Sequence, residues 1–369
     1  MAKAFGIITS SVEHKVEGLQ DYRPIGGFSF LGRYRVIDFP ISNFSNSGII
    51  NLQVYISNKP RSLAAHIGTG RHYNINSKRG SIQLLFPTEE KLNPIYNTNI
   101  QAIWENMENV SRMPQEYVVI APSCMVFKQD FDEFLQGHVA SGADISVLYH
   151  KVHHAKSGYN TCHTLSIVDG MVEGISLNLG DEDERNISME TYVVKKDLLV
   201  KLVNEAREIS SMYNLVDIFR AKSSELKVRA VEHTGFFAPI TSLKSFYDAN
   251  MELLDPAKAG DLVTPDWPIY TKTNDSCPTQ FYDEAEIKNA LVANGCEIHG
   301  TVLDSVIGRG VEIAEGAVVK GCYVSAYTKI GPNVKLENQV VDKYAEITHE
   351  NVITASKDCP GYIKYRDKL

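Results

Sequence analysis

Gly32-Arg33-Tyr34-Arg35-Val36-Ile37-Asp38-Phe39-Pro40-Ile41-Ser42-Asn43, with Asn46-Ser47-Gly48 close behind, is the stretch from which the chain is best read. Two basic side chains alternate with apolar ones, and Asp38 and Pro40 then open a predicted short helix. The first helical turn has no use for the N–H that proline lacks. Upstream, Phe5-Gly6-Ile7-Ile8 reads as a buried strand; downstream, Leu52-Gln53-Val54-Tyr55-Ile56 reads as another. The segment therefore lies between the first two strands of an α/β unit, near the edge where such folds take ligands.

With 369 residues, 43% of them hydrophobic, the chain is long enough for two domains or one large one. A formal net charge of −8 and a pI near 5.8 argue against nucleic acid or an anionic membrane as the main partner. No apolar run approaches the roughly 20 residues of a membrane span. The N-terminus enters a strand without the basic, apolar and small-residue regions of a secretory signal. Cys124, Cys162, Cys277, Cys296, Cys322 and Cys359 are scattered, with no C-x-x-C pair. They read as packing residues kept reduced, so a cytoplasmic location is expected, with neither a disulfide frame nor a zinc site.

From residue 1 to 256 strand-like and helix-like segments alternate. Strands are expected at 4–8, 52–56, 117–121, 145–149, 164–168, 189–194 and 228–231, and helices at 100–110, 131–141, 196–209 and 242–254. The third of these helices is the clearest, with Leu198, Leu199, Leu202, Val203, Ala206 and Ile209 forming one apolar stripe. Such alternation implies a mostly parallel sheet with helices on both faces. Residues 257–289, punctuated by Pro265, Pro268 and Pro278, read as a linker. Beyond residue 290, Val318, Val324, Ile330 and Leu336 recur every six positions, with Val306 twelve before the first and Glu312 interrupting the series. Gly308 and Gly331 each follow an isoleucine, as at the corners of a hexapeptide coil.

The opening stretch resembles the segment that follows the nucleotide loop in the glucose-1-phosphate adenylyltransferases, the ADP-glucose pyrophosphorylases. Tyr117-Val118-Val119-Ile120-Ala121, Lys128-Gln129-Asp130-Phe131, Ser141-Gly142-Ala143-Asp144, Ser188-Met189-Glu190-Thr191-Tyr192-Val193 and Phe246-Tyr247-Asp248-Ala249-Asn250 fall in the family's order. The resemblance implies an α/β, Rossmann-like (GT-A-like) nucleotidyltransferase domain with a mixed sheet over 1–256. A linker over 257–289 and a left-handed parallel β-helix over 290–369 follow. The coil would serve assembly.

Adenylyl transfer needs a glycine-rich loop around the triphosphate, basic groups, and Mg²⁺ held by carboxylates. Where the family's first strand runs into G-G-x-G-T-R-L, this chain has Thr9-Ser10-Ser11-Val12-Glu13-His14-Lys15-Val16-Glu17-Gly18. Two carboxylates stand there, and two valines disfavour the left-handed backbone such a loop uses. The resemblance puts the metal aspartate of a G-D-H motif at Ser123 and Cys124, and a second metal carboxylate in Phe237-Ala238-Pro239-Ile240-Thr241, where no acid occurs. The adenine-reading glutamine pair corresponds to Glu89-Glu90, the family's G-T-A-x-A-V to Thr98-Asn99-Ile100-Gln101-Ala102-Ile103, and its E-K-P is absent after Gly174. Asp130 is read as a helix cap. No catalytic or metal-binding residue is assigned; Ser123, Cys124, Pro239 and Glu89 are former-site positions.

Binding and assembly remain. Arg35 and His66 match basic residues of the family's allosteric anion pocket, while Asn51 and Ala65 replace two others. Arg23, where the family has lysine before proline, and Arg33 complete the phosphate-binding candidates, since an arginine fork suits the phosphates of a sugar bisphosphate. The pattern is closest to the GlgD-type regulatory subunits of that family. The expectation is a subunit of a hetero-oligomer, a tetramer with a catalytic ADP-glucose pyrophosphorylase subunit, acting in glycogen synthesis by population shift. It needs no cofactor and contacts neither nucleic acid nor membrane. The alternatives are an active, Mg²⁺-dependent adenylyltransferase with a rebuilt site, a homomeric sugar-phosphate sensor, and, remotely, a hexapeptide acyltransferase.

Overall fold

The computed structural model describes residues 4–10, 14–87, 98–348 and 351–369. Contacts divide the chain into two units, each assembled from three segments. The first comprises Met1–Lys15, Ile37–Thr241 and Pro265–Tyr270; the second comprises Val16–Val36, Ser242–Thr264 and Thr271–Leu369. The sequence reading cut the chain in series at residue 256, whereas the contacts group residues 16–36 and 242–264 with the coils. The opening dodecamer passes from one unit to the other between Val36 and Ile37.

The first unit is built on a nine-stranded sheet. Its strands lie in the order Ser81–Leu85, Asn51–Tyr55, Ala4–Thr9, Tyr117–Pro122, Arg185–Lys195, Ile145–Val152, Val228–Glu232, Met171–Leu177 and His163–Val168. The first four are parallel, as are Ile145–Val152 and Val228–Glu232. The long Arg185–Lys195 strand runs antiparallel to both neighbours, and so does Met171–Leu177. The sheet is therefore mixed, as the resemblance implied, where the strand–helix alternation by itself pointed to a mostly parallel one: hairpin returns are invisible in a pattern that skips Ser81–Leu85 and Met171–Leu177.

Alternation along each strand separates two apolar layers. Phe5, Ile7, Val118, Ile120, Tyr192 and Val194 join a core with Ile100, Ile103 and the Lys196–Ile209 helix. That helix buries Leu199, Leu202, Val203 and Ala206 as its spacing required, while Ile209 at its frayed end is 55% exposed. The expected 100–110 helix is two shorter ones, Asn99–Glu105 and Met107–Ser111. Gly6 is a packing requirement, because a Cβ there would lie 2.7 Å from the Phe44 ring. Helix Asp38–Asn46 carries Phe44 and has Pro40 in its first turn, as predicted. Asp130 accepts from the N–H groups of Asp132 and Glu133 and so caps Phe131–Ser141.

The second unit is a left-handed parallel β-helix with three sheets of five short strands each. Parallel registers pair Ile313 with Ile330, Val319 with Leu336 and Val324 with Val341. Each such coil thus takes seventeen residues, with inward side chains six, five and six apart. The short side makes a strict six-residue reading slip by one. Val319 is fully buried and Val318 is not, and Glu312 interrupts nothing because Ile313 is the inward residue. Leu336→Ala is accordingly expected to cost about 2–5 kcal/mol and Val318→Ala under about 1 kcal/mol, measured by urea unfolding; equal losses would refute the register. Outside the coil, Tyr323 is buried by Phe246, with ring centroids 4.9 Å apart, and donates to the Ser29 carbonyl at 2.6 Å. Gly32 (φ 67°) passes so close to the coil that a Cβ would fall 2.6 Å from the Ile307 carbonyl oxygen.

Candidate functional site

In the sheet unit, the carboxyl ends of Ala4–Thr9 and Tyr117–Pro122 lie side by side, and the Ser123 N–H donates to the Thr9 carbonyl at 2.9 Å. The chain then turns into Met125–Phe127, which pairs antiparallel with Phe237–Pro239, and the Ile240 N–H donates to the Cys124 carbonyl at 2.8 Å. The structure thus brings Ser123, Cys124 and Pro239 together although they are far apart in sequence. The bonds that join them are made by backbone, and neither run contributes a carboxylate. Cys124 is fully buried and Ser123 nearly so. Hydroxyl, thiol and proline do not suit Mg²⁺, which takes hard anionic oxygens in octahedral array, so the metal does not fit here. Among the described residues, no group of three or more His, Cys, Asp or Glu is arranged to hold a metal ion. Glu89 and the Val12-Glu13 part of the loop lie outside the described residues.

Beside these strand ends is a polar cluster that sequence reasoning missed. The pairing of Arg185–Lys195 with Ile145–Val152 shifts register between Ser188 and Tyr192, and the swollen strand carries Glu190 in the left-handed region (φ 47°). Its carboxylate lies 3.2 Å from Nδ1 of His163, itself 5% exposed. His14, 4% exposed, has its Nδ1 3.3 Å from the Thr161 hydroxyl. Burial pushes the His14 pKa down, opposed by Glu190 and reinforced by His163. Tyr159 (φ 59°) and Thr161 (φ 68°) are also left-handed, a strained state for a β-branched residue costing on the order of 1–3 kcal/mol. Thr9, Ser10, His14, Glu190 and Tyr192 line a cavity of about 20 Å³, room for about one water.

The coil unit holds a second site. Arg23, 5% exposed, grips the fully buried Asp342 with one nitrogen, at 2.6 and 2.5 Å from the two carboxylate oxygens. The Tyr362 hydroxyl adds a bond to Asp342 at 3.1 Å, and burial, then the Asp342 charge, drives the Tyr362 pKa up. Lys343 follows directly, its pKa pushed down to about 7 by loss of water and then by the charges of Arg35 and Arg23, with Arg309 adding to them. Lys343 thus lies within the fields of three arginines, Arg23, Arg35 and Arg309, and of the Asp342 carboxylate. Of the sequence candidates, the structure brings Arg23 and Arg35 together here. Arg33 is exposed, its guanidinium 5.7 Å from the Tyr34 ring centroid. His66 lies in the sheet unit, where its Nε2 and the Tyr73 hydroxyl each meet Oδ1 of the buried Asp38 at 2.6 Å. Arg309 and Lys343 were missed; the one sequence signal was an Asp-Lys pair directly after Val341, an inward residue of the coil.

Comparison with known proteins matches residues 23–256 to the nucleotidyl transferase family and residues 278–359 to a GlmU-like, C-terminal hexapeptide domain. A glucose-1-phosphate adenylyltransferase of Clostridium perfringens is 33% identical over 310 residues, covering 82% of this chain and 77% of the relative. The chain belongs to the glucose-1-phosphate adenylyltransferase (ADP-glucose pyrophosphorylase) family. A relative named glycogen biosynthesis protein GlgD, from Geobacillus stearothermophilus, is 30% identical over 325 residues, covering 86% of this chain and 83% of its own. Within this nucleotidyltransferase scaffold, the strand ends are where the α/β fold presents its ligand site, and the two turns there, at Ser123-Cys124 and Pro239-Ile240, carry no acid. Among the described residues, no helix is long and apolar enough to cross a membrane.

Proposed function

We propose that this chain is a non-catalytic regulatory subunit that pairs with a catalytic glucose-1-phosphate adenylyltransferase in glycogen synthesis, and that its coil unit takes an anionic sugar-phosphate effector. The observation that carries the reading is the backbone-joined pair of turns at Cys124 and Ile240. The resemblance places both metal carboxylates there, and neither turn supplies one. The name of the Geobacillus relative agrees with a role in glycogen synthesis. The effector reading rests on the family resemblance at Arg35 and on the charges of Arg23, Arg35 and Arg309 that act on Lys343, side chains whose chemistry suits phosphate groups.

The test mixes purified chain with a catalytic relative from the same cell. Alone, with ATP, glucose 1-phosphate and Mg²⁺, the chain is expected to show no turnover. In the mixture the partner's rate or effector midpoint is expected to shift about fivefold or more, the usual scale of coupling between sites. Co-elution by size-exclusion chromatography with light scattering reports the hetero-oligomer. The names of the adenylyltransferase relatives favour a second reading, an enzyme with a rebuilt site. Turnover by the chain alone, abolished by removing Mg²⁺, establishes that reading and ends the first.

A further inference from the structure

Two non-glycine residues in left-handed backbone, Thr161 and Glu190, belong to one polar cluster in the sheet unit. Strain of this kind persists where the surroundings enforce it, and it concentrates at ligand sites. Here the enforced feature is a carboxylate. The swelling of the Arg185–Lys195 strand re-aims Glu190 toward His163 at 3.2 Å, and the Ser188 hydroxyl accepts from the Glu190 N–H at 3.2 Å. His14 and the Thr161 hydroxyl complete the surroundings, and the cavity beside them has room for about one water. Two imidazoles and hydroxyls at the carboxyl ends of parallel strands make a seat for a small oxyanion.

We infer that Glu190 is a tethered ligand of this pocket: its carboxylate fills the seat that the phosphate of a sugar monophosphate, or a free phosphate, would take between His163 and His14. The effect is twofold. The side chain removes the volume, and its charge repels any phosphate that approaches. The closed pocket is thereby held in one conformation without substrate, as suits a subunit whose part is structural. This inference rests on the non-catalytic reading above and goes beyond it, naming the residue that excludes the ligand.

Glycine adopts the left-handed conformation without strain, so Glu190→Gly keeps the backbone while emptying the seat. The experiment titrates inorganic phosphate and glucose 1-phosphate separately into wild type, E190G, E190Q and E190G/H163A by calorimetry, with thermal melting to verify folding. Expected for wild type and for E190Q, which keeps the volume, is no heat beyond that of E190G/H163A, which reports binding elsewhere in the chain. E190G is expected to bind glucose 1-phosphate at least about tenfold more tightly than wild type, with the gain lost in E190G/H163A. Binding of both anions by E190G marks a bare phosphate seat; binding of glucose 1-phosphate alone marks a sugar-phosphate seat; either supports the inference. A folded E190G that binds neither better than wild type overturns it, as does wild-type protein that binds glucose 1-phosphate more tightly than E190G/H163A. Neither result touches the non-catalytic reading, which the turnover assay decides on its own.

Discussion

Asp342→Ala is expected to destabilise the protein by about 3–5 kcal/mol, the scale for removing one partner of a buried ion pair. The carboxylate is fully buried and accepts from Arg23, the Tyr362 hydroxyl and the Lys343 N–H. Its removal leaves Arg23 out of water without that counter-charge. Desolvation of the orphaned guanidinium dominates the loss, since the Coulomb gain of such a pair only roughly offsets its desolvation. Arg23→Met combined with Asp342→Leu is therefore expected to cost less than Asp342→Ala alone. Lys320→Ala, which breaks an exposed pair with Glu337 at 3.1 Å, is expected to cost under about 1 kcal/mol. Urea midpoints of the four proteins decide the matter; an Asp342→Ala loss as small as that of Lys320→Ala contradicts the account.

The affinity of the coil unit for a hexose bisphosphate is expected to fall up to tenfold per pH unit above about pH 7. Without ligand, burial and the Arg35 and Arg23 charges hold the Lys343 pKa at about 7, so the amine is largely neutral at pH 8. A bound phosphate favours the ammonium, and binding above pH 7 therefore takes up a proton. Calorimetry in buffers of different ionisation enthalpy measures that uptake. Lys343→Arg, charged throughout, is expected to flatten the profile; a wild-type profile equally flat from pH 6 to 9 refutes the linkage. The stability effect has its own sign. Free Lys titrates near 10.4 in an unfolded chain, so between about pH 7 and 10 the unfolded state binds the extra proton. The Lys343 contribution to stability consequently rises with pH across that window, is smallest below pH 7, and loses its slope when the anion is bound.

Much of the architecture was legible because it repeats. A period-3.6 stripe marked the Lys196–Ile209 helix, short apolar runs marked strands over 4–8, 52–56 and 117–121, each within a residue of the observed bounds, and a near-hexapeptide recurrence marked the coil. Errors fell where a local pattern meets a non-local pairing. The inward residue is Val319 and not Val318 because one side of each coil is a residue short, a fact visible only in the stacking register. The sheet is mixed because Arg185–Lys195 finds two antiparallel neighbours that no local pattern announces.

That neither Ser123-Cys124 nor Pro239-Ile240 carries an acid followed from residue identity alone. What surrounds these positions needed the tertiary structure. Arg23 and Asp342 lie 319 positions apart, and His66 matched a motif but is held by Asp38 and Tyr73. Glu190 sits in an otherwise ordinary strand segment until a register shift turns it inward. Side-chain type is written locally, whereas burial, charge environment and backbone strain arise from whichever distant segments the fold presses together.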